Sequence, residues 1–200
     1  MKKIFFLAAA MLLTIAASAE VIPANDSRVT YVGRTMVEGN DVSFDWTATY
    51  FRIAFSGKSL TMKASETKWD ADADKAATRH NYYNVWIDSP TSAEPHRIIE
   101  VAGNDTVIEL VDPAYLKKSR RAVHEVIVQK RTEGEQGKTT VHEFATDGKF
   151  FQAEPLKSRQ LEFIGDSYTC GYGIDAASRT ERFSPETENA SRSYAGIVSR

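Results

Sequence analysis

From Val29 to Phe151 the chain is a series of short runs rich in Val, Ile, Thr, Tyr, Phe and Trp, separated by turn formers such as Ser56-Gly57 and Gly103-Asn104-Asp105. Side chains of this kind at a two-residue period suit half-buried, pleated strands. Many short strands without intervening helices indicate an all-β sandwich, because each sheet must bury one face against another. The candidate strands are Leu60 to Ala64, Tyr82 to Ile87, Arg97 to Val101, Thr106 to Val111, Val123 to Gln129 and Thr140 to Ala145. Before them Phe44, Trp46, Ala48 and Tyr50 alternate, after which Phe51, Ile53 and Phe55 fall on odd positions. Such a change of phase places a bulge or a strand boundary near Tyr50. One interruption is Asp112-Pro113, an N-cap residue followed by a proline preset for the first helical position, which predicts a short helix through Leu116.

The ends of the chain read differently. Lys2 and Lys3 precede the apolar run Ile4 to Ala17, and Ala17-Ser18-Ala19 offers small residues for cleavage, so residues 1–19 are expected to be an export signal and the mature chain to start at Glu20. The apolar run is shorter than the roughly 20 residues that span a bilayer, so no membrane span is expected in the mature chain, and a secreted or periplasmic location follows. A formal charge of -2, with acids and bases interleaved, gives no basic field for a polyanion, which argues against nucleic acid as a partner. The single cysteine, Cys170, cannot form an internal disulfide, so stability must come from a hydrophobic core.

Gln152 to Arg159, with Pro155 and polar neighbours, is the expected boundary between a β-sandwich at 20–159 and a second unit at 160–200. Gln160 to Ile164 is a strand candidate that runs into Gly165-Asp166-Ser167. A turn follows at Gly171-Tyr172-Gly173. Ser184-Pro185-Glu186 then predicts a helix start, with Ala190, Tyr194, Ile197 and Val198 on one face. A serine where a strand gives way to a loop can expose its hydroxyl while its own N–H faces the same space, which is what acyl transfer needs. Gly165 would leave room in the turn, and Asp166 would brace it through hydrogen bonds to nearby backbone. By itself the tripeptide also fits an ordinary turn.

The longer segment Phe163 to Gly173 (FIGDSYTCGYG) resembles the first block of the GDSL or SGNH hydrolases, and specifically carbohydrate esterase family 2. His124 to Glu133 (HEVIVQKRTE) looks like the strand that closes that family's amino-terminal sandwich, Gly33-Arg34 also fits, and Phe183 to Ala190 (FSPETENA) with Tyr194 looks like the segment after its nucleophile. The resemblance implies a jelly-roll followed by a flavodoxin-like α/β hydrolase domain, and removal of acetyl groups from polysaccharides such as xylan. It implies Ser167 as nucleophile, with its backbone N–H in the oxyanion hole and a histidine as base. No metal or organic cofactor is needed for that route, and the partner is an acetylated polysaccharide or oligosaccharide.

Only Ser167 carries over, because His80, His96, His124 and His142 all lie in the expected sandwich and none matches the family's catalytic histidine. Residues 160–200 supply one strand-helix unit, so the hydrolase domain is expected to be incomplete within this chain. Other candidates are weaker. Asp70, Asp72 and Asp74 are spaced as in a calcium loop, but Lys75 stands where glycine is needed and Asn81 where glutamate is needed. Tyr82, Tyr83 and Trp86 could stack on sugar rings, although in an alternating strand some must be core. That stretch motivates the alternative of a non-catalytic carbohydrate-binding or interaction module. Cys170 has no neighbour in sequence that would lower its pKa, and reads as a packed side chain beside the loop.

Overall fold

The computed structural model describes residues 19–68 and 79–199. The expected export signal and the Asp70 to Asp74 loop lie outside the described residues, apart from Ala19. Among the described residues twelve strands form two six-stranded antiparallel sheets. They are β1 Glu20–Pro23, β2 Thr30–Val32, β3 Met36–Glu38, β4 Asp41–Phe44, β5 Tyr50–Phe55, β6 Leu60–Thr67, β7 Asn81–Ile87, β8 Arg97–Val101, β9 Thr106–Glu109, β10 His124–Lys130, β11 Lys138–Thr146 and β12 Phe150–Phe151. One sheet runs β3-β4-β11-β6-β9 with β1 also on β11, and the other runs β12-β5-β10-β7-β8 with β2 also on β5.

The two-residue period decides which face each strand buries. Along β10, His124, Val126, Val128 and Lys130 point into the protein, while Glu125, Ile127 and Gln129 are half-buried on the other side. Leu60, Met62 and Ala64 of β6 take the inward positions in the facing sheet. Aromatic rings join the layers, with Phe51 against the edge of Phe144 at 5.1 Å and Phe44 against Tyr83 at 6.2 Å between centroids. Each of these rings is nearly or wholly buried, which makes them the main apolar weight between the sheets.

The six candidate strands from Leu60 to Ala145 all form, with ends shifted by a few residues. The change of phase at Tyr50 is a strand boundary: β4 ends at Phe44, and a loop containing Ala48 at φ 60° leads into β5. Trp46 therefore lies outside any strand and is 58% exposed. β1 has no counterpart in the sequence reading, because it is only four residues long and is secured by pairing with β11 rather than by its own pattern. The short helix α1, Pro113–Leu116, begins as expected, with the Asp112 carboxylate accepting from Ala114 N at 2.7 Å. Of the aromatic trio, Tyr83 and Trp86 are core and Tyr82 is half-buried, its hydroxyl donating to Glu186.

Removing the Phe144 ring would open a cavity where the sheets meet. Phe144→Ala is expected to cost about 3–5 kcal/mol of unfolding free energy, read as a lower midpoint in urea.

Candidate active site

Ser167 is the first residue of α2, Ser167–Cys170, and is exposed. Asp166 caps this turn from an extended conformation, its carboxylate accepting from Tyr168 N at 3.1 Å and its carbonyl from Thr169 N at 2.9 Å. A capping aspartate satisfies amides that the helix start leaves open. Gly171 closes the turn in the left-handed region at φ 74°, and Tyr172 N donates to the Ser167 carbonyl at 3.0 Å. A side chain at Gly165 would run into Thr169, and one at Gly171 into the Asn189 carbonyl. Both glycines are thus required by close approach. Among the described residues neither the Ser167 hydroxyl nor its N–H has a hydrogen-bond partner.

The strand expected at Gln160 to Ile164 does not form, so Ser167 follows an irregular, unpaired stretch and not the end of a parallel strand. Among the described residues every strand pairing is antiparallel and none lies beyond β12. A parallel strand gains its hydrogen bonds only from neighbours, and Leu161 and Ile164 are 59% and 88% exposed. The helix expected from Ser184 also breaks up, into 3₁₀ turns at Pro185–Thr187 and Ala190–Arg192 and a short α3 at Tyr194–Val198. Its start keeps a capping box between Ser184 and Thr187. Beyond that, the carbonyls of Glu186 and Glu188 accept from the Arg131 guanidinium at 3.0 Å each, and so are not available to a continuous helix. Ala190 is buried, but Tyr194, Ile197 and Val198 are exposed.

Arg131 fastens this segment to the sandwich. It follows β10 directly, is 2% exposed, and also donates to Asn84 Oδ1 at 2.8 Å and to Asp175 Oδ2 at 2.7 Å. Asp175 accepts as well from Asn189 Nδ2 at 2.8 Å and from Arg192 Nη1 at 2.5 Å. Asn189 N donates to the Gly171 carbonyl at 3.1 Å, which connects the cluster to the Ser167 turn. Burial pulls the Arg131 pKa down, and the Asp175 carboxylate opposes it. Beside it Lys130 is fully buried, its ammonium donating to the carbonyls of Thr132 and Glu133, and burial lowers its pKa to about 7.

Cys170 ends the turn 4% exposed, with its thiol 3.7 Å from Glu133 Oε2. Burial first, then the Glu188 and Glu133 carboxylates, push the thiol pKa up, so this side chain is packed rather than poised to attack. Burial also raises Glu188 to about 7 and raises Glu133. The four histidines are engaged in the sandwich: His80 with Glu66, His96 with Ile87 N, His124 with Asp88 and His142 with Ser65. Sequence reasoning missed Arg131, Asp175 and Asn189. Only one signal was available, a basic pair that interrupts the apolar alternation at the end of β10.

The model of the carbohydrate esterase 2 amino-terminal domain matches residues 31–155, nearly the extent of the sandwich. Among curated proteins the chain is 28% identical over 177 residues to an acetylxylan esterase / glucomannan deacetylase of Cellvibrio japonicus, covering 84% of this chain and 42% of that protein. It is 31% identical over 116 residues to the cellulase/esterase CelE of Acetivibrio thermocellus, covering 58% of this chain and 14% of that protein. Among solved structures a family two carbohydrate esterase from Cellvibrio japonicus superposes with a TM-score of 0.73 at 23% identity, over 90% of this chain and 48% of that one. A family two esterase from Clostridium thermocellum, in complex with cellohexaose, does so with a TM-score of 0.69 at 25% identity, over 84% of this chain and 46% of that one. The chain thus spans less than half the length of each of these relatives.

Losing the Arg131 guanidinium would leave two carbonyls and the Asn84 side chain without their buried donor. Arg131→Ala is expected to cost about 3 kcal/mol, with amide exchange in residues 165–175 accelerating more than that in β5 and β10, measured by hydrogen exchange and mass spectrometry.

Proposed function

The chain belongs to carbohydrate esterase family 2, and from that membership we propose that it is the front part of an exported acetylesterase in which Ser167 is the nucleophile. The observation that carries this reading is a solvent-facing serine whose hydroxyl and N–H are both unpaired, on a turn fixed by Asp166 at one end and Gly171 at the other. Ser167 Oγ attacks the acetyl carbonyl, its proton passes to a histidine, and the Ser167 N–H is one of the donors that hold the tetrahedral oxyanion. Water then hydrolyses the acyl-enzyme. Gly165 and Asp166 support the loop.

None of the four histidines forms a hydrogen bond with Ser167; they bond instead to Glu66, Ile87, Asp88 and Ser65. In this reading the base and the other oxyanion donors therefore come from outside the described residues. Two further observations support a hydrolase domain that continues past a single unit. The apolar side chains of Ile164, Tyr168, Ile197 and Val198 stand exposed beside the serine turn, as apolar groups do when the layer that would cover them is missing. The matched part is also less than half of each relative, 42% of one and 48% of the other. The substrate class is an O-acetylated plant polysaccharide such as xylan or glucomannan, taken from the names of the relatives. Export rests on the reading of residues 1–19. Among the described residues no helix is long and apolar enough to cross a membrane.

A second reading, a glycan-binding module without catalysis, is favoured by Trp46, whose ring is 58% exposed and carries the Arg34 guanidinium 5.5 Å from its centroid. Retardation of the chain on xylan or cellulose in affinity electrophoresis, abolished by Trp46→Ala, is the result it expects.

For the esterase reading, the chain extended by the carboxyl-terminal half of a family 2 enzyme is expected to release acetate from a chromogenic ester. Ser167→Ala should then slow turnover by at least about a thousandfold; an unchanged rate would remove Ser167 from the mechanism.

A further inference from the structure

Behind the serine turn, three acidic or thiol side chains from three different parts of the chain converge. Glu133 comes from the sandwich just past β10, Cys170 from the last residue of α2, and Glu188 from the link between the two 3₁₀ turns. One donor atom from each lies within 4.8 Å of the others. Cys170 is 4% exposed and Glu188 is fully buried. The backbone fixes the arrangement, with Glu133 N donating to Glu188 Oε1 at 3.0 Å and Arg131 Nε to the Glu188 carbonyl at 3.0 Å.

Among the described residues no lysine, arginine or histidine forms an ion pair with Glu133 or Glu188. Glu188 Oε2 is buried without a hydrogen-bond partner among the described residues, and a buried carboxylate oxygen left in that state is unfavourable. The nearby ammonium of Lys130 is directed at the Thr132 hydroxyl and at the Thr132 and Glu133 carbonyls, and reaches neither carboxylate. The thiol lies 3.7 Å from Glu133 Oε2 and 3.3 Å from the Ser167 carbonyl, and it also interacts with the Glu188 carboxyl.

We infer that Glu133, Cys170 and Glu188 form a binding site for a thiophilic divalent cation, with Zn²⁺ the best match, which fastens the serine turn to the sandwich. A sulfur donor with two carboxylates excludes the hard cations Ca²⁺ and Mg²⁺ and suits Zn²⁺, which takes oxygen at about 2.0–2.2 Å and sulfur at about 2.3 Å. Donors already gathered within 4.8 Å reach those distances with small side-chain adjustments. Binding breaks the S–H bond, releases its proton to solvent and leaves a thiolate on the metal. Two carboxylates and a thiolate then carry three negative charges, balanced by the ion and Lys130. The ion is structural: the Cys170 side chain is turned into the protein, whereas Ser167 is exposed on the outside of the same turn. The site does not require Ser167 to be a nucleophile.

The test uses the full chain, stripped with a chelator and titrated with Co²⁺ as a spectroscopic probe. Cys170 is the only cysteine, so a thiolate-to-cobalt charge-transfer band in the near ultraviolet can arise from no other residue. One equivalent of Co²⁺ is expected to produce the band, Zn²⁺ to abolish it by displacement, and Cys170→Ala to lack it. Glu188→Gln and Glu133→Gln should each weaken binding at least roughly tenfold. Absence of the band in wild-type protein that still melts cooperatively would overturn the inference, and so would equal Co²⁺ affinity in both glutamine variants. Should Cys170→Ala or Glu188→Gln fail to fold, the wild-type titration and the less buried Glu133→Gln decide it.

Discussion

The Arg131 guanidinium, buried at the point where β10 leaves its sheet, is the interaction on which the arrangement around Ser167 depends. It donates to Asn84 on β7, to the Asp175 carboxylate, and to the carbonyls of Glu186 and Glu188. A buried charge is tolerated only when its donors are satisfied, and here the partners come from both the sandwich and the segment beyond it. The same hydrogen bonds set the conformation of 184–193, because carbonyls that accept from Arg131 do not serve a helix ladder. Burial and local irregularity therefore have one cause.

The serine turn is constrained twice. Local chemistry shapes it, through the Asp166 cap and the left-handed Gly171. Tertiary contacts then place it, through the Asn189 amide on the Gly171 carbonyl and through Cys170 packed beside Glu133. What remains free is the outward face, where the Ser167 hydroxyl, Ile164 and Tyr168 meet solvent. An exposed serine bounded by two fixed ends suits a nucleophile, since the reacting oxygen keeps its position without spending its own hydrogen-bonding capacity.

The Glu133, Cys170 and Glu188 cluster lies on the inner side of that turn, and so joins the same parts as Arg131 by a second route. Arg131 holds backbone carbonyls, while the cluster gathers side chains whose charges repel. In the first attachment every guanidinium nitrogen donates a hydrogen bond. The second leaves a carboxylate oxygen unpaired, which is the physical asymmetry that points to a bound cation.

The sandwich was legible in the sequence because the period of two directly reports which side chains face the core: the parity of Phe51, Ile53 and Phe55, or of Val126 and Val128, is the parity that is buried. The α1 cap at Asp112 and the brace at Asp166 were legible because capping acts over two or three residues. Tertiary structure alone decided the fate of 160–164 and 184–198, since a strand needs neighbours to pair with and a helix needs its own carbonyls free. It alone also decided Arg131 and Glu188. Arg131 meets Asn84, Asp175 and Glu188, and Glu188 meets Glu133, across more than forty residues of chain, and no periodicity records a contact at that separation.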